Sequence, residues 1–242
     1  MKTIIITGAS GGIGSEIAKK FATKSNNLIL IYNSNKKNIE TLKAHLQNKT
    51  NVDIFKCDLS QTNEIDCMVN KVINKYKRID YLINCAGVDK FLQIQDTTEL
   101  DYSFIMDNNL KSTVMLTAKV SQFMISEKFG KIINISSIWG NTGASMESLY
   151  SASKGAINAF TLSLAKELGP SNINVNAICP GWIDTKMNAG LSEETKQEII
   201  NETPLQRIGY PKDVANLCEF LCSEKANFIT GQLITIDGGL TL

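Results

Sequence analysis

Short apolar runs alternate with amphipathic stretches along the whole of this 242-residue chain. The runs at 2–6, 28–32, 52–57, 79–85, 131–135, 173–178 and 232–236 are too short for helices, and their apolar character predicts strands covered on both faces. Between them, apolar residues recur at helical spacing: Ile13, Ile17, Ala18 and Phe21; then Ile39, Leu42 and Leu46 within 36–48; then Ile65, Met68, Val69, Val72 and Ile73 within 61–76. Further helices are predicted over 98–107, 109–128, 148–168 and 211–222, with an irregular stretch before the last of them. Such alternation implies an α/β fold: a single doubly wound parallel sheet of about seven strands, with right-handed crossovers and helices on both faces. No Gly/Ser-rich linker, repeat or low-complexity block interrupts the pattern, so residues 1–242 are expected to form one domain.

In open sheets of this kind ligands bind beyond the carboxyl ends of the strands. The signals that directly follow strands should therefore share one crevice: Gly8 to Gly14, Asp58, Asn84 to Gly87, Ser136-Ser137 and Pro180-Gly181. The first is the most informative. A β-branched strand breaks into Thr7-Gly8-Ala9-Ser10-Gly11-Gly12-Ile13-Gly14, and the glycines open a helix. That helix end offers free backbone N–H groups and about half a positive charge, both of which a pyrophosphate satisfies. The spacing is Gly-x3-Gly-x-Gly, so the G-x-G-x-x-G dinucleotide fingerprint fits loosely, and a purely structural turn is the competing reading.

Charge and cysteine usage narrow the function classes. A net charge of +1 with well-mixed signs leaves no electrostatic footprint for nucleic acid or an anionic membrane. No apolar run approaches the ~18 residues of a membrane span, and the chain starts directly in a strand, so a soluble, cytoplasmic protein is expected. Six cysteines without CxxC pairs and one histidine, His45, argue against a metal site. Cys218 and Cys222 share a helical face and read as reduced core residues.

Cofactor choice in a dinucleotide fold is made after the second strand, where an acid grips the ribose 2′-hydroxyl of NAD and repels a 2′-phosphate. Here the segment is Tyr32-Asn33-Ser34-Asn35-Lys36-Lys37, without an acid. The two lysines at a helix start oppose the macrodipole unless an anion sits nearby, although a solvated surface pair is the plainer reading. Tyr150-Ser151-Ala152-Ser153-Lys154 is the second informative stretch. If 148–168 is helical, Tyr150 and Lys154 share a face, and an ammonium at about 4 Å would lower the phenol's pKa by about three units, into range for proton transfer to a carbonyl oxygen. Ser137 ends a strand thirteen residues earlier, where its hydroxyl can reach the same carbonyl, while Asn109 falls at a junction of two helical patterns and alone reads as a cap.

TGASGGIG, Asn84-Cys85-Ala86-Gly87, Asn109, Ser137, Tyr150-x3-Lys154, Pro180-Gly181 and the closing Ile229-Thr230-Gly231 to Asp237-Gly238-Gly239 together resemble the short-chain dehydrogenase/reductase family, in order and across essentially the whole chain. The resemblance implies a Rossmann-type, hydride-transferring enzyme, and the acid-free segment after the second strand with Lys36-Lys37 makes NADP(H) the expected cofactor. It implies a tetrad: Tyr150 as general acid/base, Lys154 lowering its pKa and binding the nicotinamide ribose, Ser137 orienting the carbonyl, and Asn109 holding a water in a proton relay. Cofactor contacts are implied at Gly8, Ser10, Gly12, Ile13 and Gly14, at Asn33, Ser34 and Lys36 toward a 2′-phosphate, and at Asp58 and Leu59 toward adenine. Further contacts are implied at Asn84, Ala86 and Gly87 beside the adenosine ribose, and at Pro180, Gly181, Ile183 and Thr185 toward nicotinamide and pyrophosphate. Two positions depart from the family pattern: Cys85 stands where Asn is usual, and Gly11 where many NADP-preferring relatives carry Arg.

Within the family the chain is similar to 3-oxoacyl-acyl-carrier-protein reductases, including a simple lid at about 182–203. It also resembles reductases of a 5-aminopentanone group carried on a lysine of elongation factor P, through Ser136 to Ser145 and the Tyr32-Asn33-Ser34-Asn35 segment. A non-catalytic dinucleotide-binding scaffold or redox sensor is the alternative of another class, and would be expected to have lost part of the Ser/Tyr/Lys set. A carrier-linked or small-molecule ketone is therefore the expected substrate. Trp139 and Met146 suit an aliphatic chain, Lys90, Lys128, Lys131 and Lys186 offer a basic rim for an acidic carrier, and Glu147 is a candidate partner for an ammonium group. Helices 109–128 and 148–168 carry apolar residues on more than one face (Val114, Leu116, Val120, Phe123; Ile157, Phe160, Leu164), which predicts a homodimer or homotetramer.

Overall fold

In the computed structural model, which describes residues 1–188, 190 and 192–242, the strands follow in chain order as β1 (Lys2–Ile6), β2 (Asn26–Tyr32), β3 (Asn51–Lys56), β4 (Tyr81–Asn84), β5 (Gly130–Ile135), β6 (Ile173–Pro180) and β7 (Leu233–Ile236). They form one parallel sheet in the order β3-β2-β1-β4-β5-β6-β7. The chain leaves β1 in one direction through β2 and β3, then returns to the other side of β1 at β4. That reversal opens a crevice between the carboxyl ends of β1 and β4.

The continuous apolar runs follow from burial on both faces. Ile4 and Ile6 point one way and Ile5 the other, because side chains alternate along a strand. On the first face, Ile4, Ile6, Leu28 and Leu30 pack with α1 (Gly12–Phe21), α2 (Lys36–Leu46) and α9 (Pro211–Cys222), through Ile17, Phe21, Ile39, Leu42, Val214, Cys218 and Leu221. On the second, Ile5, Ile29 and Ile31 share a core with Ile65, Val69 and Val72 of α3 (Thr62–Tyr76), Leu116 and Val120 of α5 (Ser112–Glu127), and Ala165 and Leu168 of α7 (Ser148–Leu168). Each fully buried Ile or Leu contributes roughly 1.5–3 kcal/mol, which makes this two-sided core the main source of stability. Cys218 and Cys222 lie in it as free thiols.

Two expectations about the helices are corrected. The predicted helices over 98–107 and 109–128 do not meet at a cap: α4 (Glu99–Met106) runs into α5 through a π-helical turn, Asp107–Lys111. The hydroxyls of Ser112 and Thr113 donate back to the carbonyls of Asn108 and Asn109 in this turn, at 2.6 and 2.8 Å. The stretch read as irregular contains α8 (Glu193–Glu202), capped by the Ser192 hydroxyl, which accepts from the Thr195 N–H. Part of the lid expected at about 182–203, residues 189 and 191, lies outside the described residues.

Candidate active site

The glycine-rich turn forms one wall of a cleft of about 890 Å3 at the carboxyl edge of the sheet. Gly8 has φ +61°, and a Cβ there would lie 2.9 Å from the Cys85 carbonyl oxygen. A Cβ on Gly14 would lie 2.4 Å from the Gly8 carbonyl oxygen, a backbone overlap that nothing nearby can relieve. Gly11 caps α1 without any side-chain bond, and the first turn carries no acid. The helix therefore presents unopposed N–H groups to the cleft, the environment a pyrophosphate requires. Across the crevice, the Thr7 hydroxyl accepts from the N–H groups of Cys85 and Ala86, both at 2.9 Å, and so ties the segment after β4 to β1.

Asn109 owes its position to the π turn. It is fully buried; its Oδ1 accepts from the Val88 N–H at 2.8 Å, while its amide donates to the Val88 carbonyl at 2.9 Å and the Ser153 hydroxyl at 3.0 Å. Ser153 in turn donates to the Tyr150 carbonyl at 2.7 Å, so Asn109 braces the first turn of α7. A Cβ on Gly87 would lie 3.4 Å from both Asn109 Oδ1 and Lys154 Nζ, which places these two polar atoms around one small space.

Ser137, Tyr150 and Lys154 line the same cleft. Ser137 follows β5 at the start of a turn into α6 (Trp139–Thr142), and that turn is held to β6 by the Ile138 N–H donating to Pro180 O at 3.0 Å. The Ser137 hydroxyl accepts from the Trp139 N–H at 3.2 Å and lies on the Tyr150 side of the cleft. The Lys154 ammonium donates to the Ile135 carbonyl at 2.9 Å and lies 5.5 Å from the Tyr150 ring centroid. Burial pulls its pKa down to about 8. The expected lowering of the Tyr150 pKa is corrected. Burial, with Asp89 and Glu147 adding negative charge nearby, raises it above the ordinary value, and the nearby Ser137 hydroxyl offsets only part of the rise.

Of the residues implied as cofactor contacts, Gly8, Ser10, Gly12, Ile13, Gly14, Ala86, Gly87, Tyr150, Lys154, Pro180, Gly181, Ile183 and Thr185 all line the cleft. Thr185 faces the turn directly, since a Cβ on Gly12 would meet its methyl at 3.0 Å. Asn33, Ser34 and Lys36 are exposed outside that wall, with Lys36 near Glu40 at 3.6 Å, and Asn35 and Asn38 line it instead. Asp58 and Leu59 are half-buried beyond it. Asn84 is turned away: its amide donates to Thr117 and Asn134 at 3.0 and 2.9 Å, beneath the cleft. Cys85 does line the cleft, and burial pushes its thiol up to about 12.

The basic rim is reduced by half. Lys131 is buried, its ammonium donating to Asn174 and Asn227 at 2.8 Å each, and Lys128 ends α5 at the amino end of β5, opposite the crevice. Lys90 and Lys186 remain at the cleft. Trp139 lines it too and meets Trp182 edge-on, with centroids 6.4 Å apart, whereas Met146 is exposed. Sequence reasoning missed Asp89, Phe91, Phe104 and Trp182 in the lining. Asp89, two residues past Gly87 at a strand's carboxyl end, was the one with a positional signal.

A glycine-shaped anion cradle facing a hydroxyl pair and a buried ammonium is suited to moving a hydride and a proton to or from one carbonyl. The fold and cleft thus define a nicotinamide-dinucleotide oxidoreductase. Residues 8–241 match a family model described as enoyl-(acyl carrier protein) reductase. The chain is 40% identical over 240 residues, 98% of each chain, to the uncharacterized oxidoreductase YmfI of Bacillus subtilis. It is 37% identical over 241 residues to the 3-oxoacyl-[acyl-carrier-protein] reductase FabG of Aquifex aeolicus, covering 99% of this chain and 97% of that one. It is 35% identical over 242 residues to FabG of Thermotoga maritima, covering 100% and 98%. The chain belongs to the short-chain dehydrogenase/reductase family, as an oxidoreductase acting on CH–OH and C=O groups. No helix among the described residues is long and apolar enough to cross a membrane.

Proposed function

We propose that this chain is an NADPH-dependent ketoreductase whose ketone arrives on a larger carrier. The observation that carries the reading is the meeting of Ser137, Tyr150 and Lys154 in the cleft that the uncapped start of α1 also borders. A carbonyl oxygen placed between the Ser137 and Tyr150 hydroxyls accepts from both. Tyr150 acts as the acid. Burial keeps its phenol protonated at neutral pH, the form that reduction consumes. Lys154 then stabilises the phenolate left behind, in a site where burial strengthens the interaction. Water in the small space between Asn109 Oδ1 and Lys154 Nζ would return the proton. The dinucleotide, when bound, supplies the hydride; Gly8 to Gly14, Ala86, Gly87 and Thr185 are positioned to hold it. Preference for NADPH is supported by the absence of an acid at Asn33 and Ser34 and by Lys36 and Lys37 at the start of α2.

Two carrier-linked ketones fit this chemistry. A 3-oxoacyl thioester on an acyl carrier protein is supported by the names of the FabG relatives. A 5-aminopentanone group on elongation factor P is the second reading, favoured by two acidic side chains in the cleft, Asp89 and Glu147. We also place the enzyme in the cytoplasm as a homodimer or homotetramer. Leu116, Val120 and Ile157 are buried in the chain's own core, so the apolar face left for a partner is carried by Val114, Phe123, Phe160 and Leu164 with the exposed Phe104, Ile125 and Leu162. The direct test of the catalytic reading is NADPH oxidation with ethyl acetoacetate, run beside NADH. Turnover with a clear NADPH preference is expected. No turnover with either nucleotide overturns the proposal, and equal kcat/KM for both overturns its cofactor half.

A further inference from the structure

Trp139 and Trp182 are the chain's only tryptophans, and both line the cleft. They come from different elements: Trp139 opens α6 two residues after Ser137, and Trp182 follows β6. Their rings meet at 81°, the edge-on packing that aromatic quadrupoles favour. The backbone of each is held. The Trp139 N–H donates to the Ser137 hydroxyl at 3.2 Å, so this residue adjoins the group that takes the substrate carbonyl. The Trp182 carbonyl accepts from the Gly209 N–H, and the Gly209 carbonyl accepts from the Asp184 N–H, both at 2.8 Å. A Cβ on Gly209 would lie 2.5 Å from Ile183 Cδ1, so the two segments are in close contact.

Behind Trp182 lies a second cavity of about 90 Å3, between α8 and the segment after β6. The buried Ile183 and Ile199 and the half-buried Ile208 give it an apolar floor, and the exposed Asp184 and Glu193 stand at its mouth. Trp182, Ile183 and Asn188 line both this cavity and the cleft, so they form the partition between them. The Asn188 amide donates to the Ile183 carbonyl at 2.8 Å across the polar part of that partition, and Trp182 supplies its largest side chain. An apolar cavity of roughly 150 Å3 takes a benzene, so the smaller space behind Trp182 suits a short alkyl group.

A ketone has two arms. The arm joined to a carrier must leave through the open side of the cleft, because the carrier is too large to enter. The free arm then points inward past Ser137, where it meets the two indoles. We propose that Trp182 sets a length limit on this free arm: with its indole in place the cleft ends at the tryptophan pair and takes a short arm, and without it the cleft and the cavity behind become one space. The proposal rests on the ketoreductase reading of the cleft and names the class of ketone it takes, one with a short free arm. A methylene added beyond the limit overlaps packed indole, and rejection of a single methylene by an apolar pocket is commonly about tenfold or more.

The test is a series of 3-oxo ethyl esters, reduced with NADPH, in which the ester arm is constant and the free arm grows: ethyl acetoacetate, ethyl 3-oxohexanoate and ethyl 3-oxooctanoate. Wild-type kcat/KM should fall by about tenfold or more from the methyl to the pentyl arm. Trp182→Ala should bring that ratio close to one, and Trp182→Phe, which keeps a smaller ring, should lie between. The ratio within each protein is the readout, so variants of lower absolute activity still report, and Trp182→Phe decides the matter if Trp182→Ala does not fold. A wild type that reduces the pentyl ester as well as the methyl one overturns the limit, as does a ratio unchanged by the substitutions. Reduction of ethyl acetoacetate without any length limit removes only the role of Trp182; if no ester is reduced at all, the ketoreductase reading falls and the limit with it.

Discussion

The two walls of the cleft are built from different materials. The dinucleotide wall is backbone: an uncapped helix end and glycines whose missing Cβ atoms leave room that Gly8 and Gly14 could not otherwise provide. The substrate wall is made of side chains gathered from distant segments: Asp89 after β4, Trp139 after β5, Glu147 and Tyr150 at α7, and Trp182 after β6. A backbone wall recognises what all dinucleotides share, because N–H groups and helix ends are the same in every sequence. A side-chain wall can change its charge without disturbing the sheet. General chemistry is therefore set by the first wall and by the Ser137–Tyr150–Lys154 cluster, and substrate choice by the second.

Substitutions can break the two walls separately. The largest effect on cofactor binding is expected for Gly14→Ala. The added methyl would overlap backbone, costing about 3 kcal/mol by the standard of overpacked cores, and NADPH affinity should fall roughly a hundredfold by fluorescence titration. Near-normal affinity and melting temperature would show that the turn is not the cradle. Asn33→Asp should come next, reversing the NADPH to NADH preference in kcat/KM by roughly tenfold through repulsion of a 2′-phosphate. A preference unmoved by the added acid would put the 2′-phosphate elsewhere.

The pH effects are smaller and belong to the substrate wall. Lys154 has a pKa lowered to about 8, so its ammonium is lost as pH rises through that value, and kcat for reduction should fall several-fold between about pH 7 and about pH 9. A flat profile over that range would separate Lys154 from the chemistry. For Glu147 burial, with Asp89 nearby, raises the folded-state pKa to about 8, so between the ordinary carboxylate range and about 8 the folded chain holds a proton that the unfolded chain has released. The resulting stability is complete at acid pH and lost as pH rises through about 8. Glu147→Gln cannot titrate, so its Tm relative to wild type should climb by a few degrees across that window and level off above it. A constant difference in Tm would mean that Glu147 holds no such proton.

What could be read from sequence divides along the same line. The parallel sheet, the glycine turn and the Tyr150–Lys154 spacing are local patterns, and helix or strand periodicity exposes them. The π turn at Asn109 is not local: it depends on the Val88 backbone and Ser153 meeting the asparagine side chain. Lys131 reads as a surface lysine until Asn174 and Asn227 are found around its ammonium. The direction of the Tyr150 shift was misjudged because an i, i+4 spacing specifies a nearby ammonium but not the burial and the two acids that outweigh it. α8 escaped notice because its ten residues, Glu193–Glu202, contain only Ile199 and Ile200 as large apolar side chains.

The separation of binding from chemistry is tested most directly in one protein, Tyr150→Phe, by titrating NADPH fluorescence and then measuring single-turnover ketone reduction on the same sample. The substitution removes one hydroxyl from the substrate wall and leaves the glycine wall intact. NADPH should bind within a few-fold of the wild-type affinity, while the rate of reduction falls by about three orders of magnitude or more, since only the proton donor is gone. Reduction at even a tenth of the wild-type rate would mean that Tyr150 is not the acid.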